Sequence, residues 1–119
     1  TYDADKNLFF LNFEGLNIRS HDDIARIEQA VDGCLKPVGH KVFAIVNYDR
    51  FSILPELVED YIAMVKGVVE RHYHDVTRYT SNTFLRVKLG EALAKGKLAP
   101  QIYESASEAK ASLPAADAS

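Results

Sequence analysis

Residues 42–46 constrain the fold of this chain more than any other segment. They read Val-Phe-Ala-Ile-Val, an unbroken apolar run of strand length. A strand that is apolar on both faces is typical of the interior of a parallel sheet covered by helices. The sequence therefore predicts the central strand of an α/β fold here. Open α/β sheets bind ligands at the carboxyl ends of their strands, so the polar residues from Asn47 onward are the first candidates for a site.

The apolar spacing along the rest of the chain predicts strands that alternate with helices. Strands are predicted at residues 7–14, 42–46, 76–80 and 101–103, and helices at residues 20–38, 55–73, 81–95 and 105–113. Ser20, Ser81 and Ser105 are predicted N-caps, because a serine hydroxyl accepts a hydrogen bond from a first-turn amide. Strict alternation of this kind predicts right-handed crossovers and a mainly parallel central sheet with helices packed on it.

The domain organisation follows from where the apolar periodicity begins and ends. Residues 8–113 are predicted to form one α/β domain, since a chain of 119 residues can bury a single core. The polar residues 1–7 are interpreted as a linker, and the start at Thr1 suggests a segment of a longer polypeptide. Residues 114–119 have nothing to bury and are expected to be a disordered tail.

Charge and cysteine content exclude several classes of partner. With 17 acidic and 14 basic side chains the net charge is −3, which gives no reason to expect nucleic acid or an anionic membrane surface. No apolar run approaches the roughly 20 residues of a membrane span. Cys34 is the only cysteine, is predicted to be buried on the apolar face of the first helix, and fits a reducing compartment. The expected location is the cytoplasm.

A polar cluster at the end of the central strand is the first candidate site. Asn47, Tyr48, Asp49 and Arg50 place an amide, a phenol, a carboxylate and a guanidinium in succession, with Ser52 close behind. We interpret these five residues as a candidate interaction surface. A hydrogen-bonded loop, with Asp49 turning the chain and Arg50 paired to it, remains the simpler alternative.

A second candidate site lies at the start of the third predicted helix. Thr80 and Ser81 offer hydroxyls and free amides there, and Arg78 and Arg86 flank them, so the four could bind an anion. No glycine-rich loop brings the backbone close to a ligand, and simple capping also explains the pattern.

No catalytic group and no metal site is predicted. His72 and His74 could converge only in an extended segment, and two ligands are too few for a structural zinc site.

Two stretches resemble the STAS domain, the fold of sulfate transporters and of anti-sigma-factor antagonists. They are FLNFEGL at residues 10–16 and PQIYESASEA at residues 100–109. The resemblance implies a STAS-like α/β fold. That family is phosphorylated on a serine of an Asp-Ser-Ser-Gly motif. The motif aligns here with residues 53–56, ILPE, which contain no hydroxyl. Ser52 is only the nearest hydroxyl, so the phosphoswitch is not carried over.

A further resemblance covers residues 76–103, which begin with VTRYTSNTFL and end with APQIY. Residues 8–16 and 44–49 share it. These stretches are similar to the C-terminal extension of bacterial acyl-CoA:acetate/3-ketoacid CoA-transferases. The resemblance implies a non-catalytic regulatory or interaction domain without a cofactor of its own, whose partners are the transferase lobes of the same chain or another subunit. CoA and the nucleophilic glutamate would then belong to those lobes.

Two alternatives from other classes stay open. One is a stand-alone protein-binding module similar to anti-sigma-factor antagonists but lacking the phosphoswitch. The other is a small CoA- or anion-binding domain that uses the second candidate site. The sequence does not decide whether the chain pairs with a second copy of itself.

Overall fold

The computed structural model describes residues 1–113, which form six strands and four α-helices. The strands are β1 (Tyr2–Asp3), β2 (Leu8–Asn12), β3 (Asn17–Ile18), β4 (Val42–Asn47), β5 (Ser52–Ile53) and β6 (Tyr73–Tyr79). The helices are α1 (His21–Leu35), α2 (Val58–His72), α3 (Thr83–Lys95) and α4 (Ala106–Ser112), with short 3₁₀ turns at Lys36–Val38 and Pro55–Leu57.

The central sheet has the order β1-β2-β4-β6, and β3 and β5 form a separate parallel pair. Strand β4 pairs in parallel with β2 and with β6, whereas β1 pairs antiparallel with β2. The predicted α/β fold is therefore confirmed, and the sheet is mixed. The predicted position of the apolar run is also confirmed, because β4 lies inside the sheet and Val42 and Ala44 are fully buried.

The two ends of the described chain differ from the sequence expectation. Tyr2–Asp3, within the predicted linker, pairs with β2, and the Phe10 amide donates to the Thr1 carbonyl at 2.8 Å. This pairing uses only backbone groups, so apolar periodicity does not reveal it. The last predicted strand is reduced to one parallel bridge between Tyr79 and Tyr103. The predicted tail, residues 114–119, lies outside the described residues.

Helices cover both faces of the sheet. Ile27 and Val31 of α1 and Met64 of α2 face Val46 of the sheet on one side. On the other side Ser112 of α4 donates to the Thr77 hydroxyl at 3.0 Å, while Ala109 is fully buried. The core thus consists of two layers separated by the sheet.

The N-cap predictions are confirmed for two helices. The Ser20 and Ser105 hydroxyls accept from the amides of Asp23 and Glu108, each at 3.3 Å. The prediction for Cys34 is wrong, since its side chain is exposed. At 100° per residue Cys34 lies roughly 80° from the centre of the stripe that α1 buries, so it falls outside the packed face.

A charged network joins α1 to α2. Arg71 donates to Glu28 at 3.0 Å and to Asp32 at 3.2 Å, and His72 Nε2 lies 2.6 Å from Asp32 Oδ1. The hydrogen bond to His72, with Arg71 as a second partner, lowers the pKa of Asp32 below its ordinary value.

This network is expected to make stability depend on pH in the acid range. Because the pKa of Asp32 is lower in the folded state, the unfolded chain binds more protons in the acid range. The contribution of Asp32 to the free energy of unfolding is therefore complete above about pH 4. It is lost as pH falls through the lowered pKa. Urea unfolding of Asp32→Asn should therefore show a shallower loss of stability below about pH 4, by about 1 kcal/mol or less. Asp5→Asn, an exposed change outside the network, should leave the acid limb unchanged. An unaltered acid limb in Asp32→Asn would contradict the assignment.

Candidate functional site

The residues at the end of β4 form a hydrogen-bond network with those at the end of β2. The Asn47 amide donates to Asn12 Oδ1 at 3.2 Å, and its oxygen accepts from the Asp49 amide at 2.9 Å. Arg50 pairs with Glu14. Gly15, at φ 74°, takes the left-handed turn that glycine favours, and its amide donates to the Asp49 carbonyl at 3.0 Å. The ends of β2 and β4 are thereby held together.

Asp49 connects this network to the start of α3. Its Oδ1 accepts from the Ser81 amide at 2.6 Å and from the Ser81 hydroxyl at 3.1 Å. The prediction that Ser81 caps α3 is therefore wrong. Asn82 is the cap, and its Oδ1 accepts from the Leu85 amide at 3.0 Å.

Only part of the predicted interaction surface is accessible. Tyr48 is buried, and its hydroxyl lies 2.8 Å from that of Tyr61. Asn47 and Asp49 are partly exposed but use their side chains within the network. Arg50 and Ser52 are exposed.

The four residues predicted to bind an anion do not converge on one surface. Arg78 and Thr80 are buried, and both donors of Ser81 face the Asp49 carboxylate. Arg86 donates to the Thr80 carbonyl and to Glu104, each at 3.3 Å. The Asp49 carboxylate thus lies where the sequence predicted that an anion would bind.

A groove lies between α2, α3 and the segment around β5. Its volume is about 810 Å³. The apolar lining includes Phe51, Ile53, Val58, Ile62, Leu85 and Ala92. Ser52 and Asn82 also line it, so this groove, called the α2–α3 groove below, connects the accessible part of the first candidate surface to the start of α3.

The charges in the α2–α3 groove are mixed. Lys88 and Lys95 contribute positive charges from α3, and Glu59 and Glu91 contribute negative ones. Their opposite signs give the lining no net formal charge. The apolar surface, rather than charge, therefore distinguishes the groove.

Phe84 is the most exposed large apolar side chain beside the groove. It is 73% exposed and lies under the Lys88 ammonium, which is 5.8 Å from the ring centroid. Val87, one turn further along α3, is 54% exposed.

Phe84 lies on the side of α3 that faces away from the core. The helix buries Leu89 and Leu93, and Phe84 lies roughly 160° from them at 100° per residue. Plotting α3 on a helical wheel would have revealed this surface.

The described residues provide no metal centre and no membrane-spanning element. Within residues 1–113, no group of three or more His, Cys, Asp or Glu side chains could hold a metal ion. None of the helices in that range is both long and apolar enough to cross a membrane. Comparison with protein-family models, with curated proteins and with solved structures found no match to this chain.

Proposed function

We propose that this chain is a non-catalytic interaction domain that docks onto a partner protein through the α2–α3 groove. The observation that carries the proposal is Phe84, which is 73% exposed at the edge of an apolar groove. Exposed apolar surface of this kind marks contact sites in soluble proteins, and aromatic side chains are enriched there.

The proposed partner is the pair of transferase lobes of an acyl-CoA:acetate/3-ketoacid CoA-transferase, with this chain as its STAS-like C-terminal domain. Residues 76–103, which resemble the extension of those enzymes, contain all of α3 and therefore Phe84. The stretch that carries the resemblance thus coincides with the exposed surface. A cytoplasmic location, a regulatory role, and CoA bound by the lobes rather than by this domain follow from the proposal.

The first test removes the domain from the polypeptide that contains it. Deletion should alter acyl transfer, oligomeric state or thermal stability of the transferase lobes. If all three were unchanged, the proposed role would be eliminated.

A sharper test replaces Phe84 with aspartate and measures the affinity of the domain for separately expressed transferase lobes by calorimetry. The dissociation constant should rise about 30-fold, because an aromatic side chain that dominates a contact contributes about 2 kcal/mol to binding. The substitution should not unfold the domain, since Phe84 is exposed and an acidic residue suits the first turn of a helix.

Ala25→Asp is the matched control. Ala25 is exposed on α1, outside the groove, and gains the same charge. It should leave the dissociation constant within about twofold. Equal weakening by both variants would show a general charge effect and would contradict docking through the groove.

The volume of the groove favours one alternative, a small ligand of the acyl-CoA type. Pockets for small molecules measure about 300–1,000 Å³, and Lys88 and Lys95 could contact phosphate groups. Calorimetric titration of the domain with CoA and acyl-CoA separates the two functions. Absence of binding at millimolar ligand eliminates the alternative, whereas binding that Phe84→Asp abolishes would replace protein docking as the function.

A further inference from the structure

One face of α3 is exposed from the first turn of the helix to the last. Phe84, Lys88, Glu91 and Lys95 follow one another at intervals of four, three and four residues, and all four are exposed. At 100° per residue their side chains fall within roughly 60° of one another around the helix axis. These four residues, called the α3 stripe below, also form one rim of the α2–α3 groove.

The charges of the α3 stripe alternate in sign. Lys88 and Lys95 carry positive charges, and Glu91 between them carries a negative one. None of the ion pairs within residues 1–113 involves any of these three side chains. The three charges are therefore not neutralised by an ion pair within that part of the chain, and they are exposed to a second molecule.

The α3 stripe is complementary to a second copy of itself that runs in the opposite direction. A two-fold axis near the middle of α3 places Lys88 of each copy opposite Glu91 of the other, which forms two ion pairs by symmetry. The same axis places Phe84 opposite Lys95, and an ammonium group is attracted to an aromatic face. Intervals of four and three residues keep two helices in contact along their length.

A parallel arrangement of two α3 stripes does not have this complementarity. In register, it places Lys88 opposite Lys88 and Glu91 opposite Glu91, and like charges that face each other across an interface are unfavourable. The alternation of sign therefore selects the antiparallel pair.

The size of α3 limits the strength of such a pair. The helix has 13 residues, so it is about 20 Å long. One face of that length and about 10 Å wide covers much less than the roughly 800 Å² per partner of a standard stable interface. The pair should therefore be reversible, with a dissociation constant in the micromolar to millimolar range.

We propose that two copies of this domain pair through antiparallel α3 stripes and thereby cover the α2–α3 groove. The inference rests on the proposed function, because it makes a second copy the competitor of the partner protein for the same surface. Pairing closes the docking surface when the domain is concentrated. Dilution, or a partner that binds more tightly, opens it.

The test measures self-association of the chain alone by analytical ultracentrifugation at low ionic strength, from micromolar to millimolar protein. Lys88→Glu and Glu91→Lys should each raise the dissociation constant of the pair about tenfold, since one reversal turns two symmetry-related attractions into repulsions. The double variant, with both reversals, should return the constant to within about threefold of that of the unmodified chain.

Lys66→Glu is the matched control. Lys66 is exposed on α2, outside the groove, and its reversal changes the net charge as Lys88→Glu does. It should leave the dissociation constant within about twofold. The opposite signs of the two test reversals exclude a general charge effect. The chain carries a net charge of −3, so Glu91→Lys moves it toward zero and would strengthen association if net repulsion alone mattered.

Two outcomes would overturn the pairing. One is a chain that stays monomeric at millimolar concentration. The other is self-association that the single reversals do not weaken or that the double variant does not restore, which would place the contact elsewhere. The measurement needs no transferase lobes, so it separates the two proposals. A monomeric chain that binds the lobes overturns the pairing alone, whereas a restored pair in a chain that does not bind the lobes supports the pairing and eliminates the docking.

Discussion

Tyr61→Ala is expected to lower the free energy of unfolding by about 3–5 kcal/mol, the range for truncating a buried aromatic side chain. Tyr61 is 1% exposed, its ring centroid lies 5.7 Å from that of Phe51, and its hydroxyl meets that of Tyr48. The substitution leaves a cavity at the base of α2 and an unsatisfied Tyr48 hydroxyl. Urea unfolding followed by circular dichroism measures the loss.

Tyr61→Phe separates the ring from the hydroxyl. It keeps the packing but removes the partner of Tyr48, so the expected loss is about 1–3 kcal/mol. A loss below about 1 kcal/mol for Tyr61→Ala would contradict the placement of this side chain in the core.

Leu93→Ala should lower the free energy of unfolding by about 2–5 kcal/mol. Leu93 is 1% exposed and, with Leu89, fixes the buried face of α3. Its loss should loosen the helix that carries Phe84. The variant should therefore also bind the proposed partner, the transferase lobes, more weakly, which the calorimetric assay detects.

Val87→Ala, on the exposed face of the same helix, is the matched control. Its side chain is 54% exposed, so the free energy of unfolding should change by no more than about 0.5 kcal/mol. Equal losses at Leu93 and Val87 would show that α3 packs through a different face.

The elements of the fold that arise from local patterns could be predicted from sequence. The apolar run in β4 indicates a strand buried on both faces, because no exposed position interrupts it. Ser20 and Ser105 indicate helix starts, because a cap is a contact within four residues. Such signals do not depend on the rest of the chain.

The candidate site depends on contacts between distant residues, which the sequence does not reveal. Ser81 has the sequence features of an N-cap, but its amide and its hydroxyl both donate to Asp49, which lies 32 residues earlier. The groove exists only because α2 and α3 pack at a particular separation. Arg78 lies within a short β-prone segment, and only the pairing of β6 with β4 places it in the core.

The edges of the central sheet limit how the domain can meet another protein. Strand β1 is two residues long, and at the opposite side Tyr103 bridges the end of β6. A two-residue edge strand discourages another chain from adding a strand beside β1. At the β6 edge, which is seven residues long, the charge of Asp75 has the same effect. Association by strand addition is therefore least favoured at the β1 edge, where side chains rather than backbone groups would have to select a partner.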